Sequence, residues 1–323
     1  MPSPRALVVK LSSLGDVIHQ MPALSDLRQH RPDVVIDWVV EEAYAPLVRL
    51  HPAVREVIPA GLRRLRERPA SLAGWRALAK LVVRLRATRF DWVVDSQGLL
   101  KSAVLARVAD GPRYGYDRQS IREPLASALL DARVRVSRQW HAVERIRRLF
   151  ATTFGYLHGG EIHYGLAVDA DRPSWAPRGP YVVGLHATSR AEKCWPEPCW
   201  ARLASYLAAR GIAIVFPSGT PAEQATAARL AATAPLATVA PALTLPEAAA
   251  LLSHASGAVG VDTGLAHLSV AVGAPTVGLY VATDASLTGL VGGGAIANLG
   301  HPGSGPSPDA VWAALAPRLR ATP

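Results

Sequence analysis

Hydrophobic and polar positions follow two spacings along the chain. Short runs rich in Val, Ile and Ala, such as Ala6–Lys10 and Gly257–Val261, alternate with longer segments in which Leu and Ala recur every three or four residues. The first spacing predicts strands buried on both faces, and the second predicts helices that pack on them. The sequence therefore predicts an α/β protein built on parallel sheets.

The predicted elements form two groups, separated by residues 169–180, a linker rich in Pro and polar residues. The first group has strands at Ala6–Lys10, Val34–Val40 and Asp91–Asp95, and helices at Val17–Gln29, Trp75–Thr88, Leu99–Val108 and His141–Phe150. The second has strands at Tyr181–His186, Ile212–Pro217, Gly257–Val261 and Thr276–Tyr280, and helices near Trp200–Arg210, Ala222–Thr233 and Leu245–Ser253 and from Gly264.

This pattern predicts two doubly wound domains, 1–168 and 181–305. Such a pair is expected to bind a ligand in a cleft between the carboxyl ends of the two sheets. Residues 306–323 add a helix that Ser307 caps, which we expect to pack back toward the first domain.

Composition narrows the class of protein. Half of the 323 residues are hydrophobic, which excludes a disordered chain. No uncharged apolar run of about 20 residues occurs and no signal-peptide pattern is evident, so we expect a protein that meets a membrane only at its surface, from the cytoplasm. Cys194 and Cys199 are interpreted as ordinary thiols rather than as metal ligands.

Charge is distributed unevenly. The net charge is +10, and residues 1–150 hold 26 basic and 15 acidic side chains against 9 and 10 in the remainder. Within the first half, one stretch carries a single acid, Glu67, and these basic residues: Arg63, Arg64, Arg66, Arg68, Arg76, Lys80, Arg84, Arg86 and Arg89. A solvated surface is the usual interpretation of such a run, but unopposed like charges favour an anionic partner. Aromatic residues are few and no nucleic-acid motif is present, so a phosphorylated acceptor or anionic lipid is favoured over nucleic acid.

The first predicted strand runs into a turn, Lys10-Leu-Ser-Ser-Leu-Gly-Asp16, where a helix begins. Turns at this edge of a parallel sheet commonly bind ligands, and Gly15 lets the backbone approach one. For Asp16 the sequence leaves two interpretations equally open: an acid that stabilises the helix N-terminus, or a general base. Lys10, one of four lysines in the chain, is a candidate anion ligand.

A polar loop follows the strand Tyr181–His186. It contains Thr188, Ser189 and Lys193 within six residues. Two hydroxyls and an ammonium can hold phosphate oxygens through hydrogen bonds and charge. A solvated loop without a ligand is equally compatible with the sequence.

The third candidate element is the turn Asp262-Thr263-Gly264, which ends an apolar strand and begins a helix. Free N–H groups and the positive end of the helix dipole suit a pyrophosphate. Asp262 can accept hydrogen bonds from ligand hydroxyls, or it can cap the helix. His267 can donate to a phosphate, although alone it is better interpreted as a core histidine.

Other chemistries have no matching motif. The chain lacks G-x-G-x-x-G, the P-loop spacing, G-x-S-x-G, H-E-x-x-H and a Cys/His cluster. We therefore expect no dinucleotide cofactor, no serine hydrolase and no metal.

Three motifs together resemble the heptosyltransferases of bacterial lipopolysaccharide core assembly. They are Lys10-x-Ser-Ser-Leu-Gly-Asp-Val-Ile-His-x-x-Pro-Ala, His186-Ala-Thr-Ser-Arg-x-x-Lys-x-Trp-Pro and Val261-Asp-Thr-Gly-Leu-Ala-His-Leu. Their order and spacing match over essentially the whole chain. The resemblance implies a GT-B fold, with an acceptor domain followed by a nucleotide-sugar domain.

The resemblance also implies a reaction. L-glycero-D-manno-heptose would pass, with inversion, from ADP-heptose to the first Kdo sugar of Kdo2-lipid A, at the cytoplasmic face of the inner membrane and without a cofactor. By position, the resemblance assigns to Asp16 the role of the family's general base. The resemblance assigns donor contacts to Thr188, Ser189, Lys193, Glu223, Leu243, Asp262, Thr263, Gly264 and His267, and acceptor contacts to Lys10, Arg63, Arg64 and Arg66. Residues 281–285 depart from the family's turn, which leaves their part in donor binding open.

Three alternatives remain. A family member that adds a later core heptose is the nearest, and a panel of acceptors distinguishes it. An NAD(P)-dependent oxidoreductase with two α/β domains is disfavoured by the missing glycine fingerprint. A non-catalytic module that binds anions or lipids is the third, and it predicts that no ADP is released.

Overall fold

The computed structural model describes residues 3–188 and 190–320 and divides the chain into two compact units, Met1–Leu166 and Ala167–Pro323. The boundary after Leu166 lies two residues before residue 168, where the sequence predicts that the first domain ends. Residues 169–180, predicted as a linker, belong to the second unit. Among the described residues, no helix is long and apolar enough to cross a membrane.

The first unit is a six-stranded parallel sheet with helices around it. In chain order its elements are β1 Arg5–Val9, α1 Leu14–His30, β2 Val35–Val40, α2 Ala45–Val48, β3 Val54–Pro59, α3 Leu62–Glu67, α4 Leu72–Ala87, β4 Trp92–Asp95, α5 Leu100–Val108, β5 Arg113–Tyr116, β6 Ala132–Val134 and α6 Ala142–Phe154. The strand order is β3-β2-β1-β4-β5-β6, so the order reverses between β1 and β4.

The second unit repeats this arrangement. Its elements are β7 Tyr181–Leu185, α7 Glu197–Ala208, β8 Ala213–Phe216, α8 Pro221–Ala231, β9 Ala237–Val239, α9 Leu245–Ser253, β10 Gly257–Val261, α10 Gly264–Ala271, β11 Thr276–Leu279, α11 Ala285–Thr288, β12 Ile296–Leu299 and α12 Pro308–Leu315. The order is β12-β11-β10-β7-β8-β9, and it reverses between β7 and β10. Both units therefore have the doubly wound topology that the apolar pattern predicts.

The C-terminal helix packs within the second unit. Ser307 caps it, as predicted, by accepting a hydrogen bond from the N–H of Ala310. Its buried residues Val311 and Leu315 join the core that α7 and β11 also line. This apolar face contacts α7, β11 and β12 within the second unit. The expected contact of the helix with the first domain stays a prediction.

A buried ion pair joins α1 to α6 in the first unit. The Arg147 guanidinium donates to both carboxylate oxygens of Asp26, at 2.7 and 3.2 Å, and the two side chains are only 3% and 9% exposed. Arg147 also donates to the carbonyl of Gly159 at 2.9 Å. The pair thus fixes α6 and the segment after it against α1.

We expect Arg147→Met to lower the free energy of unfolding by about 3–5 kcal/mol, because it leaves the Asp26 carboxylate buried without a counter-charge. Arg148→Met is the matched control. It removes a half-buried ion pair with Glu144 on the same helix, which is expected to contribute no more than about 1 kcal/mol. Urea unfolding of the full chain measures both, and equal shifts of the two midpoints would contradict the assignment.

Candidate functional site

Each sheet places polar residues at the two strands where its order reverses. In the first unit β1 is followed by Lys10 and β4 ends at Asp95. In the second, β7 is followed by His186 and β10 by Asp262. The carboxyl ends at such a switch point are where doubly wound sheets bind ligands. The sites predicted from sequence in each unit therefore lie where the topology favours binding.

Asp16 combines the two roles that the sequence left open. Its Oδ2 accepts hydrogen bonds from the N–H and the hydroxyl of Ser13, both at 2.9 Å, and so stabilises the start of α1. Its Oδ1 lies 3.9 Å from Lys10 Nζ and has no hydrogen-bond partner among the described residues. The side chain is 36% exposed, so one carboxylate oxygen is held in place while the other is free to accept a proton.

Lys10 is buried behind this carboxylate. Its ammonium donates to the carbonyl of Ser96 at 3.1 Å. Burial lowers the pKa of Lys10, and the carboxylates of Asp16 and Asp95 oppose that shift. With its side chain only 6% exposed, Lys10 acts on Asp16 electrostatically rather than from an open surface.

Two residues of the β4 turn, Asp95 and Gln97, support the Asp16 turn and were not predicted from sequence. Gln97 Oε1 accepts from the N–H groups of Leu11 and Ser12, at 2.9 and 3.2 Å. Asp95 accepts from the N–H of Gln97 at 2.9 Å, and burial raises the pKa of its carboxyl to about 6 against the hydrogen bonds that lower it. Asp95 could have been singled out from the sequence, because it is a carboxylate at the end of an apolar strand, as Asp262 is.

A cavity of about 400 Å³ lies beside the turn and brings together residues far apart in sequence. Ser12 and Ser13 line one part of it, and Arg63, Arg64 and Arg66 of α3 line another. Tyr44, Lys101 and three acids, Glu41, Glu42 and Glu67, complete its polar wall. The three arginines predicted to contact an acceptor therefore share a cavity with the turn that holds Asp16.

The expectation that this basic segment lacks opposing acids is wrong in part. Glu42 pairs with Arg64 at 3.0 Å, and Glu56 pairs with Arg84. The carboxylate of Glu41, whose pKa burial raises, accepts from the N–H of Arg63. These acids follow or belong to other strands, so only the folded chain brings them to the arginines.

In the second unit, Asp262 is the centre of a polar cluster. Its Oδ2 accepts from Lys193 Nζ at 2.7 Å and from the Thr283 hydroxyl at 2.8 Å. Its backbone carbonyl accepts from the Thr188 hydroxyl at 3.3 Å. Lysine has three N–H donors, so Lys193 keeps two for a ligand. Thr283 lies within residues 281–285, whose part in donor binding the sequence left open.

The loop after β7 is anchored at both ends. The buried His186 ring packs edge-on against Phe216, and its Nε2 lies 3.3 Å from the carbonyl of Glu223. The Trp195 indole donates to the carbonyl of Pro306 at 2.9 Å. These contacts hold Thr188 and Lys193 at the end of β7, whereas Ser189 lies outside the described residues.

Helix α10 begins directly after this cluster. Thr263 is its N-cap residue, with extended backbone, and Gly264 is its first residue. The first-turn N–H groups of a helix lack carbonyl partners within it, which makes this end a site for an anion. His267 lies one turn further and is buried, 4% exposed, so it is placed behind the turn.

Glu223 and Leu243 lie beside the neighbouring strands β8 and β9. Glu223 is in the first turn of α8, and its carboxylate accepts from the N–H of Gly219 at 2.7 Å. Leu243 is half-buried in the segment before α9. The two residues thus occupy the turns after β8 and β9, on the same side of the second sheet as Asp262.

The residues present suit an anionic ligand and hydroxyl groups. The second unit offers an ammonium, a hydroxyl and a helix N-terminus, which can bind a diphosphate, and a carboxylate, which can accept from hydroxyls. The first unit offers a carboxylate with a free oxygen. Within the described ranges, no group of three or more His, Cys, Asp or Glu side chains is placed to hold a metal ion.

Comparison with known proteins shows extensive similarity. The profile of glycosyltransferase family 9 (heptosyltransferase) matches residues 78–310. Lipopolysaccharide heptosyltransferase 1 of Escherichia coli K12 is 42% identical over 291 residues, which is 90% of each chain. The protein of the same name from Pseudomonas aeruginosa PAO1 is 43% identical over 297 residues, covering 89% of this chain and 81% of that one.

Solved structures show the same relationship. The structure described as "E. coli heptosyltransferase WaaC with ADP" superposes with a TM-score of 0.90 at 39% identity, covering 97% of this chain and 99% of that one. The same enzyme "with ADP-2-deoxy-2-fluoro heptose" superposes with a TM-score of 0.87 over the same shares of the two chains.

A less similar sequence relative is a lipopolysaccharide heptosyltransferase 3 from Escherichia coli. It is 26% identical over 304 residues, which cover 84% of this chain and 81% of that one.

Proposed function

Because the chain belongs to glycosyltransferase family 9, the heptosyltransferases of lipopolysaccharide synthesis, we propose that it transfers L-glycero-D-manno-heptose from ADP-heptose to the first Kdo of Kdo2-lipid A. The observation that carries this proposal is the pair of switch-point sites, one with a partly free carboxylate and one with Lys193 on Asp262 at 2.7 Å. Relatives solved with ADP and with an ADP-fluoroheptose support the donor.

The proposed chemistry is an inverting displacement. Asp16 Oδ1 takes the proton of the acceptor hydroxyl, whose oxygen attacks the anomeric carbon of heptose. The bond from that carbon to the diphosphate oxygen breaks, and ADP leaves. General bases of this kind contribute about 10²–10⁴-fold in rate. Lys10 Nζ, 3.9 Å from Asp16 Oδ1, places a positive charge beside this carboxylate.

The donor residues in this proposal lie in the second unit. Lys193 and the N–H groups of Thr263 and Gly264 stabilise the charge that develops on the leaving diphosphate. Thr188 and Ser189 add hydroxyl donors, and Asp262 accepts from the sugar hydroxyls. We propose that no metal is needed, because these groups already offset the diphosphate charge.

The remaining donor contacts belong to the adenosine and the pyrophosphate. We propose that Glu223 holds the ribose hydroxyls, that Leu243 packs on the adenine, and that His267 supports the pyrophosphate turn. Thr283 extends this set, because it shares Oδ2 of Asp262 with Lys193 and so orients that carboxylate.

The test is mass spectrometry of Kdo2-lipid A after incubation with ADP-heptose, with one added heptose as the expected product. An acceptor that already carries one heptose tests the nearest alternative, a later heptosyltransferase. The 41–43% identity to four heptosyltransferase 1 sequences, against 26% to a heptosyltransferase 3, favours the first transfer. Product on the later acceptor alone would overturn the proposal, and binding of a nicotinamide cofactor would support the oxidoreductase alternative.

Arg63, Arg64 and Arg66 are proposed to bind the anionic groups of the acceptor. We expect the triple variant R63Q/R64Q/R66Q to raise the acceptor KM at least about tenfold, because charge-assisted hydrogen bonds are lost. The donor KM should be unchanged. The control R202Q/R210Q/R229Q removes the same charge from the second unit, and an equal rise in its acceptor KM would contradict the assignment.

A further inference from the structure

Helix α4 has two apolar stripes, and only one of them packs into its own unit. Gly74, Leu81 and Leu85 are buried, and the two leucines belong to the core beneath the sheet of the first unit. The helix packs on α3 and α5 through this side. We propose that the opposite face of α4 docks the protein onto an anionic lipid bilayer.

The outward stripe is strongly apolar. Leu72, Trp75 and Val83 are 73%, 53% and 66% exposed. With Ala79 between them they recur every three or four residues, which places them along one side of the helix. The Trp75 indole N–H donates to the carbonyl of Pro69 at 2.8 Å, so its hydrogen bond is already made within the chain. The stripe can therefore leave water without losing a polar contact.

Cations border this stripe: by helical spacing, Arg76 and Lys80 lie along one side of it, and Arg86 continues it. Arg76, Lys80 and Arg86 are exposed, and none of them has a carboxylate within salt-bridge distance among the described residues. Arg84, on the same helix, pairs with Glu56. The helix itself carries no acidic residue. An exposed Trp and aliphatic residues beside exposed cations are the features of helices that lie in a membrane interface.

The charges on this face of α4 favour a bilayer over the other partners that could cover it. A second copy of the chain, packed through the same stripe, would bring two sets of unpaired cations together. Nucleic acid would meet the cations but leave Leu72 and Val83 without apolar contact. In an anionic bilayer the headgroups pair with the cations, and the acyl layer beneath them contacts the apolar side chains. The inference rests on the proposed lipid acceptor, because an enzyme that acts on a membrane lipid must reach the bilayer surface.

The experiment is co-sedimentation of the full chain with vesicles of phosphatidylcholine, with and without phosphatidylglycerol, and without any lipopolysaccharide. We expect binding that requires phosphatidylglycerol and weakens with salt. R76Q/K80Q/R86Q should weaken it about 100-fold, since each cation near an anionic surface contributes about fivefold. L72S/W75S/V83S should weaken it by about 100-fold as well, through lost apolar burial.

Two controls make the test specific. R202Q/R210Q/R229Q removes equal charge from the second unit and should bind vesicles like the unmodified chain. Both α4 variants should keep their transfer rate on acceptor presented in detergent micelles. Unchanged vesicle binding of the α4 variants, or equal loss in the control, overturns the proposal. Dissociation of a dimer by L72S/W75S/V83S without loss of vesicle binding also overturns it and assigns the face to a second copy. A failure of heptose transfer on every acceptor would refute the proposed function instead, since vesicle binding is measured without substrate.

Discussion

Asp16→Asn is expected to lower kcat by about 10²–10⁴-fold while the affinity for ADP-heptose is retained. The amide oxygen of Asn can still accept from the N–H and hydroxyl of Ser13, so the start of α1 is preserved. What is lost is the second oxygen, which has no hydrogen-bond partner in the described part of the chain and is the proposed proton acceptor. Steady-state kinetics with Kdo2-lipid A and calorimetric titration with donor measure the two effects.

Asp33→Asn is the matched control for this prediction. Asp33 is an exposed carboxylate of the same unit and pairs with Arg31 at 2.9 Å, so its loss should leave kcat unchanged. Turnover of Asp16→Asn close to that of the unmodified chain would refute the assignment.

Lys193→Met is expected to lower kcat by about 10²–10³-fold, the effect of removing one donor from a developing oxyanion. The donor KM should rise too, because the substitution leaves the Asp262 carboxylate, only 12% exposed, without its cation next to the diphosphate. Kinetics with ADP-heptose as the varied substrate measure both changes. The acceptor KM should stay the same, since Lys193 belongs to the second unit.

The Arg229–Glu197 pair provides the comparison for Lys193. It has the same 2.7 Å separation and lies in the same unit, but both side chains are exposed. Arg229→Met should therefore leave donor kinetics unchanged, since exposed pairs contribute little. A Lys193→Met enzyme with unchanged kcat and donor KM would show that Lys193 only neutralises Asp262.

The central strands of both sheets were predictable from sequence, and the strands toward their edges were not. Strands β1, β4, β7 and β10 are buried on both faces and are read directly as apolar runs. Strands β3, β5, β6, β9 and β12 were missed because they are short, partly exposed or interrupted by charged residues. In β3 the sequence Val-Arg-Glu-Val-Ile-Pro gives no continuous apolar signal. Backbone pairing with β2 makes this segment a strand.

The residues of the candidate site were likewise predictable only in part. Asp16, Lys193 and Asp262 were found because each follows a strongly apolar strand within a local motif, and local motifs are contiguous in sequence. Gln97 and Thr283 were not found, since each acts across the sheet on a turn that is distant along the chain. Their side chains have no special spacing, and only the adjacency of β1 to β4 and the fold around β10 brings them into place.

Apolar spacing and residue type are local properties, so the amino-acid sequence alone predicted the two doubly wound units, the three chemical motifs and the excess of cations in the first half. Tertiary structure decided which of those cations are neutralised. Glu42 and Glu56 reach Arg64 and Arg84 from segments that are remote in sequence. Arg76, Lys80 and Arg86, beside an outward apolar stripe, have no carboxylate partner among residues 3–188 and 190–320. The strength of an ion pair depends on the distance between the two charges in space, and that distance is set only when the sheet has formed.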